Sequence, residues 1–286
     1  MKDFAIGTLP FMSNGVASSG YILQTPVEGL DGPDIRTTAF SRPGADGMIV
    51  SNQLYDGRTL KLVGKVLGTS FEEFEANRRA LIAAVAIQRD SNGYPVPVRV
   101  SFTTMAGASF YVDVHFGKPI MDWQNPVDGD FMLVGTAPSP FIFGATPVVS
   151  GNISRPTGGG YAVPMAVPYI SMASTGGVVD LNNVGNATAM PIITLTGNLT
   201  HPILTNRTTG ERLELDYTVP SGSEVVIDMA EPSILLDDSL SLIAAKTNSS
   251  DWWGLEPGIN SIALDTASAS DGGYASLSFN PPYTGV

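Results

Sequence analysis

The stretch from Ser70 to Gln88, SFEEFEANRRALIAAVAIQ, is the one segment of this chain that reads as a long helix. Ser70 and Glu73 have the spacing of a capping box, in which each side chain accepts from a backbone N–H at the helix start. Phe71, Phe74, Leu81, Ile82 and Val85 recur at helical spacing and predict one apolar stripe. Glu75 lies four residues before Arg79 and pairs with it on the wet face. Asn92-Gly93 and Pro95 supply the stop. At the usual rise per residue such a helix spans roughly 28 Å. Set among strands, it must lie against a sheet to bury its stripe.

Everything else reads as strand and turn. The 31 Gly and 21 Pro in 286 residues fit a turn-dense β protein, and the length favours two domains. Gly29 to Asp34 and Arg42 to Gly47 are turn-forming runs, with strands predicted at Ile35 to Phe40 and Met48 to Val50. From Arg58 to Leu67, Leu60, Leu62 and Val66 alternate with Lys61 and Lys65, as in a half-buried strand. Residues 95 to 116 predict a hairpin, with Phe110, Val112, Val114 and Phe116 on one face and Tyr111, Asp113 and His115 on the other. Ala137-Pro138-Ser139-Pro140 opens a linker that runs to about 177 and includes Gly158-Gly159-Gly160. The predicted domains are 1–145, containing the helix 70–88, and 146–286. In the second, short strands with turns at about ten-residue spacing predict a β-sandwich or jelly roll.

Composition removes several chemistries. There is no cysteine, which rules out disulfides, zinc thiolates and Cys nucleophiles. No apolar run reaches the roughly 18 residues of a membrane helix, and no membrane contact is expected. The N-terminus lacks the apolar core of a secretory signal. Net charge is −12, from 27 acidic and 15 basic residues. An acidic chain without a basic cluster is a poor phosphate binder. It suits a surface that DNA slides past, and solubility explains the same number.

Motifs for catalysis are missing. No G-x-S-x-G, Walker loop or H-E-x-x-H occurs, and His115 and His201 stand apart from any nucleophile motif. Asp237-Asp238, Asp251 and Glu256 are the acids to weigh as a glycosidase pair, but turns between strands call for Asp on their own account. Asp128-Gly129-Asp130 and Asp90-Ser91-Asn92-Gly93 fall short of a calcium loop. No catalytic, cofactor or metal residues are therefore assigned. Trp252-Trp253 is the feature that remains. Exposed Trp on a β-sandwich stacks on sugar rings, which makes a glycan-binding module the alternative reading. The reading the residues favour is that one Trp plugs the core while the other covers the turn.

Taken in order, the residues resemble the distal tail proteins (Dit) of siphovirus-type bacteriophages. The first half carries Glu28-Gly29-Leu30-Asp31-Gly32-Pro33-Asp34-Ile35-Arg36, then Pro43-Gly44-Ala45-Asp46-Gly47, then Gly57 to Gly68, then the helix with Arg78-Arg79-Ala80-Leu81. The second carries Pro191-Ile192-Ile193, Asn206 to Glu211, Ile227-Asp228 and Trp252-Trp253 through Asn260. The resemblance implies a mainly β fold: an N-terminal tail-tube-like β-sandwich with one packed helix, and a C-terminal galectin-like or jelly-roll β-sandwich. It implies a structural virion protein at the distal end of the tail rather than an enzyme. Six copies would close into a ring joining tail tube protein to tail tip protein, and the outer domain would dock tip, receptor-binding or side-fibre proteins. DNA would be a partner only in transit through the lumen.

Overall fold

The computed structural model describes residues 3–12, 20–156, 160–161, 171–172 and 177–286. Gly158 and Gly159 of the predicted linker lie outside them. The chain divides into two compact units, Met1–Thr146 with Pro282–Val286, and Pro147–Pro281. The last five residues, which the sequence reading groups with the second domain, thus return to the first.

The first unit contains β1 (Asp3–Ile6), β2 (Leu9–Met12), β3 (Tyr21–Leu23), β4 (Ile35–Ser41), β5 (Met48–Tyr55), β6 (Arg58–Leu67), α1 (Phe71–Ala84), β7 (Gln88–Arg89), β8 (Pro95–Val96), β9 (Val98–Thr103), β10 (Ser109–Phe116), β11 (Ile120–Asn125), β12 (Asp128–Ala137) and β13 (Ile142–Gly144). The second contains β14 (Val148–Val149), β15 (Ile153–Ser154), β16 (Gly160–Tyr161), β17 (Ser171–Met172), β18 (Val178–Asn183), β19 (Ile192–Thr196), β20 (Leu199–Thr200), β21 (Ile203–Asn206), β22 (Arg212–Glu214), β23 (Thr218–Val219), β24 (Glu224–Asp228), β25 (Ser233–Leu236), β26 (Leu240–Ser241), β27 (Gly258–Asp265) and β28 (Tyr274–Phe279). The final strand, β29 (Pro282–Tyr283), completes the first unit by pairing with β13.

Ten strands of the first unit form one sheet, ordered β11-β12-β6-β3-β2-β1-β9-β10-β13-β29. β10 also pairs with β12 through His115↔Thr136 and Phe116↔Gly135, so the sheet closes on itself. Closure joins β10 to β12, and β11 and β29 remain at the two ends of the strand order. Period-2 alternation sends Leu60, Leu62 and Val66 of β6, Val100 and Phe102 of β9, and Phe131 and Leu133 of β12 into one core. Gly64 is required there, because a Cβ would sit 2.2 Å from the Ile22 carbonyl oxygen.

The helix begins as expected and ends early. Ser70 caps it, its Oγ accepting from Glu73 N–H at 3.2 Å. Glu73 reaches back to the N–H of Thr69, at 2.7 Å, rather than to that of Ser70. Glu75 pairs with Arg79 at 3.3 Å and also with Arg78. The predicted extension to Gln88 fails because Asp90 Oδ1 accepts from the N–H groups of Asn92 and Tyr94. That turn closes a small hairpin which takes Gln88–Arg89 as a strand against Pro95–Val96. The stripe is also narrower than expected: Phe74, Leu81 and Val85 are buried, while Phe71 and Ile82 stay exposed. Phe74 packs where Gly68 and Gly129 leave room for it.

In the second unit the strands β14, β28, β19, β24, β25 and β26 form one sheet, with β15 also on β28, and β18, β27, β21 and β22 form another. Ile193, Leu195 and Leu277 of the first share a core with Leu181, Leu204, Ile262 and Leu264 of the second. This is the predicted β-sandwich, two sheets with one core between them.

Candidate functional site

Two features of the first unit depart from an ordinary closed sheet. One is the β4–β5 hairpin, whose every residue is exposed. Ile35, Phe40, Met48, Ile49, Val50 and Leu54 are each 48–65% exposed, although strands of such residues normally bury one face. The register runs from Ile35↔Tyr55 to Ser41↔Met48, with a bulge after Thr38. The base is anchored by Asp56 N–H to Asp34 C=O at 2.8 Å and by Tyr55, edge-on to Phe141 at 6.2 Å. Sequence reasoning found both strands but missed that neither has a buried face. The signal was there, since apolar residues occur at both odd and even positions.

The other is Arg58, which is 1% exposed. Its guanidinium donates to the carbonyl of Gly29 at 2.5 Å, of Pro140 at 2.8 and 3.2 Å, and of Thr284 at 2.6 Å. Three chain segments are thereby tied to the start of β6. Burial pulls the guanidinium pKa down, and the charges of Asp34 and Asp31 oppose that. The C-terminal tail passes so close that a Cβ on Gly285 would lie 1.8 Å from the Asp31 carbonyl oxygen. The clamp was invisible in the sequence, because its acceptors are backbone carbonyls far apart in the chain.

Several of the acids and histidines singled out from the sequence have structural partners. Lys65 bridges Asp128 at 3.2 Å and Asp130 at 3.3 Å. Asp237 and Asp238 take left-handed backbone conformations, φ 47° and 54°, between β25 and β26, and Asp237 Oδ1 accepts from Glu224 N–H. Glu256 accepts from the Thr188 hydroxyl at 3.2 Å, and the Asp251 backbone N–H donates to Arg212 C=O. His201 Nδ1 lies 3.2 Å from Asp216 at the surface, and His115 lies on β10, its backbone paired with Thr136 of β12. Among the described residues, no group of three or more His, Asp or Glu is arranged to hold a metal ion. Nor does any described helix have the length and apolarity to cross a membrane.

Trp252 and Trp253 part company. Trp253 is 1% exposed in the second core, with its indole N–H unpartnered. Trp252 is half-buried beneath the Lys246 ammonium, 5.8 Å from the ring centroid. Three buried asparagines hold the segment that follows. Asn183 donates to Leu255 C=O at 2.9 Å, Asn206 to Gly254 C=O at 3.1 Å, and Asn260 to Glu256 C=O at 2.7 Å. Two of these, Asn206 and Asn260, belong to the motifs that carried the resemblance. Their role here is to fix a loop.

The fold matches the Dit (gp 19.1) protein of phage SPP1, described as a paradigm of the hub adsorption apparatus in phages infecting Gram-positive bacteria, with TM-score 0.67, 12% identity and 98% of both chains covered. It also matches a chain of the phage P2 baseplate in its activated conformation with Ca, with TM-score 0.53, 10% identity and 99% of both chains covered. A search of curated proteins found no match. Residues 184–283 match the model of the family "Siphovirus-type tail component, C-terminal domain".

Proposed function

We propose that the protein is the distal tail hub of a siphovirus-type phage. Six copies close into a ring that joins the tail tube to the tail tip, and DNA passes through the lumen. The sandwich unit offers docking surface to tip or receptor-binding proteins, and the protein performs no catalysis. The β4–β5 hairpin carries this reading. Half-exposed large side chains present on the order of 100 Å² each, so six of them offer about 600 Å² of apolar surface. A standard interface uses about 800 Å² per partner, so the hairpin fits an assembly contact. A charge of −12 per copy suits a channel that must not hold DNA.

Light scattering on a sizing column, followed by negative-stain imaging, tests the proposal. Six-fold rings, single or stacked, are expected. A monomer both alone and when mixed with purified tail tubes would overturn it. The glycan-binding alternative now rests on Trp252 alone, because Trp253 presents no face to solvent. A glycan array comparing the parent with Trp252→Ala tests that reading.

A further inference from the structure

The foot of the exposed hairpin is held by residues that lie far along the sequence. Asp56 N–H donates to Asp34 C=O at 2.8 Å, and Tyr55 lies edge-on to Phe141. Neither support is anchored in the hairpin itself. Asp34 follows Gly29 to Asp31, and that stretch of backbone meets residues 284–286. Arg58 donates both to Gly29 C=O at 2.5 Å and to Thr284 C=O at 2.6 Å. Val286 N–H donates to Leu30 C=O at 3.4 Å, and Gly285 passes against the Asp31 carbonyl. Phe141 stands between Pro140, whose carbonyl Arg58 also holds at 2.8 Å, and Ile142, which pairs with Tyr283. Tyr283 is fixed in turn, edge-on to Phe110 at 5.2 Å.

Residues 282–286 can take these places only after residues 147–281 have been made. Bringing the ends of so long a segment together costs entropy. The second unit covers that cost by folding, because its first and last strands pair, with Val148 opposite Phe279 and Val149 opposite Ser278. Pro282 follows shortly after Phe279 and is thereby returned toward Phe143, its partner in the β13–β29 pairing. An unfolded second unit instead leaves 282–286 on a long flexible chain, at far lower effective concentration near β13.

We infer that residues 282–286 are a strap that fixes the foot of the β4–β5 hairpin, and that folding of the second unit delivers the strap. A chain whose second unit has failed to fold therefore presents an unfixed hairpin. Where the hairpin is an assembly contact, which rests on the reading above, such a chain is held back from assembly. A contact made by only a competent fraction of the molecules weakens in proportion to that fraction.

Hydrogen exchange of the full chain, read by mass spectrometry on peptides spanning Asp56, tests the strap. Gly285→Ala sets a methyl group against the Asp31 carbonyl and leaves every core side chain in place. The Asp56 amide is expected to exchange about tenfold faster in it, while amides of α1 and β9 keep the parent's rates. The double variant Ile193→Asp with Leu277→Asp puts two carboxylates at positions of 0% exposure and unfolds the second unit. It should speed Asp56 exchange at least as much, again with α1 unchanged. A parent-like Asp56 rate both in Gly285→Ala and in a chain lacking residues 282–286 overturns the strap. Faster exchange spread evenly over the first unit overturns it too, because 282–286 would then serve general stability alone. A parent-like rate in the double variant overturns the delivery. If Asp56 responds as expected but the variants assemble as the parent does, the strap stands and the hairpin is not the assembly contact.

Discussion

Two antiparallel hairpins of the first unit are built from similar residues and meet opposite fates. β9–β10 buries Val98, Val100, Phe102, Phe110, Val112 and Val114 on one face and wets Arg99, Tyr111 and Asp113 on the other. There Arg99 holds Asp113 at 2.9 Å and lies 3.8 Å over the Tyr111 ring. β4–β5 has comparable apolar content, but spread over both faces, and it buries neither. Strict alternation is what a strand needs to serve its own core. A ribbon that abandons it has no single face to give to a core. Local apolar content thus identifies a strand, and its phase decides whether that strand can serve the core of its own unit.

The contrast can be broken most sharply at Phe102, which stacks between Phe4 and Phe110 at centroid distances of 6.4 and 5.8 Å. Phe102→Ala should cost about 3–5 kcal/mol in denaturant titration. Phe40→Ala should stay within about 0.5 kcal/mol for the unassembled chain while weakening assembly. An equal loss of stability in both would mean the hairpin has a buried face in its own unit. Next in size, Arg58→Met removes a buried donor that ties together the carbonyls of Gly29, Pro140 and Thr284, and should cost about 3 kcal/mol. Limited proteolysis should then release the last residues first. In the second unit, Trp253→Phe removes the unpartnered indole N–H together with some packing, so a melting curve should move by no more than about 1 kcal/mol.

The smallest expected effect is a pH dependence at Asp271. Desolvation pushes its carboxyl pKa up, but hydrogen bonds from Thr200 N–H at 2.7 Å, from the Thr266 and Thr200 side chains, and the charge of Arg155 outweigh this and hold it below the usual value. A depressed folded-state pKa stabilises above the unfolded value, and that contribution is lost as pH falls through the folded one. Asp271→Asn should therefore flatten the acid limb of the stability profile below about pH 4 and leave its neutral plateau slightly lower. An unchanged acid limb would show that the Thr200 bonds do not survive in solution.

Much of this was legible in the chain and some of it was not, for physical reasons. The cap at Ser70, the alternation of β6 and the aspartate turn at 237–238 are local, and each is decided by neighbours in sequence. The end of α1 is not legible locally, because Gln88 pairs with Val96, eight residues on, rather than following its own helix propensity. The closure of the sheet through His115 and Thr136 is a long-range pairing with no local mark. At the site, the two tryptophans were visible but their burial was not, since adjacent residues on an extended segment point to opposite sides. Arg58 looked like any strand-opening residue. Its partners are carbonyl groups, which every residue possesses.

The return of the chain to β29 has a consequence on the timescale of inheritance. Phe143 lies directly opposite Pro282, so the backbone departs and comes home at points only about 5 Å apart. Residues 147–281 are bounded by two neighbouring seams, and a recombination event at those seams can exchange the whole module while every strand pairing of the first unit is retained. Selection can thus revise the second module without renegotiating the Arg58 clamp or the closed sheet. Lineages that share the first unit are free to diverge in the second.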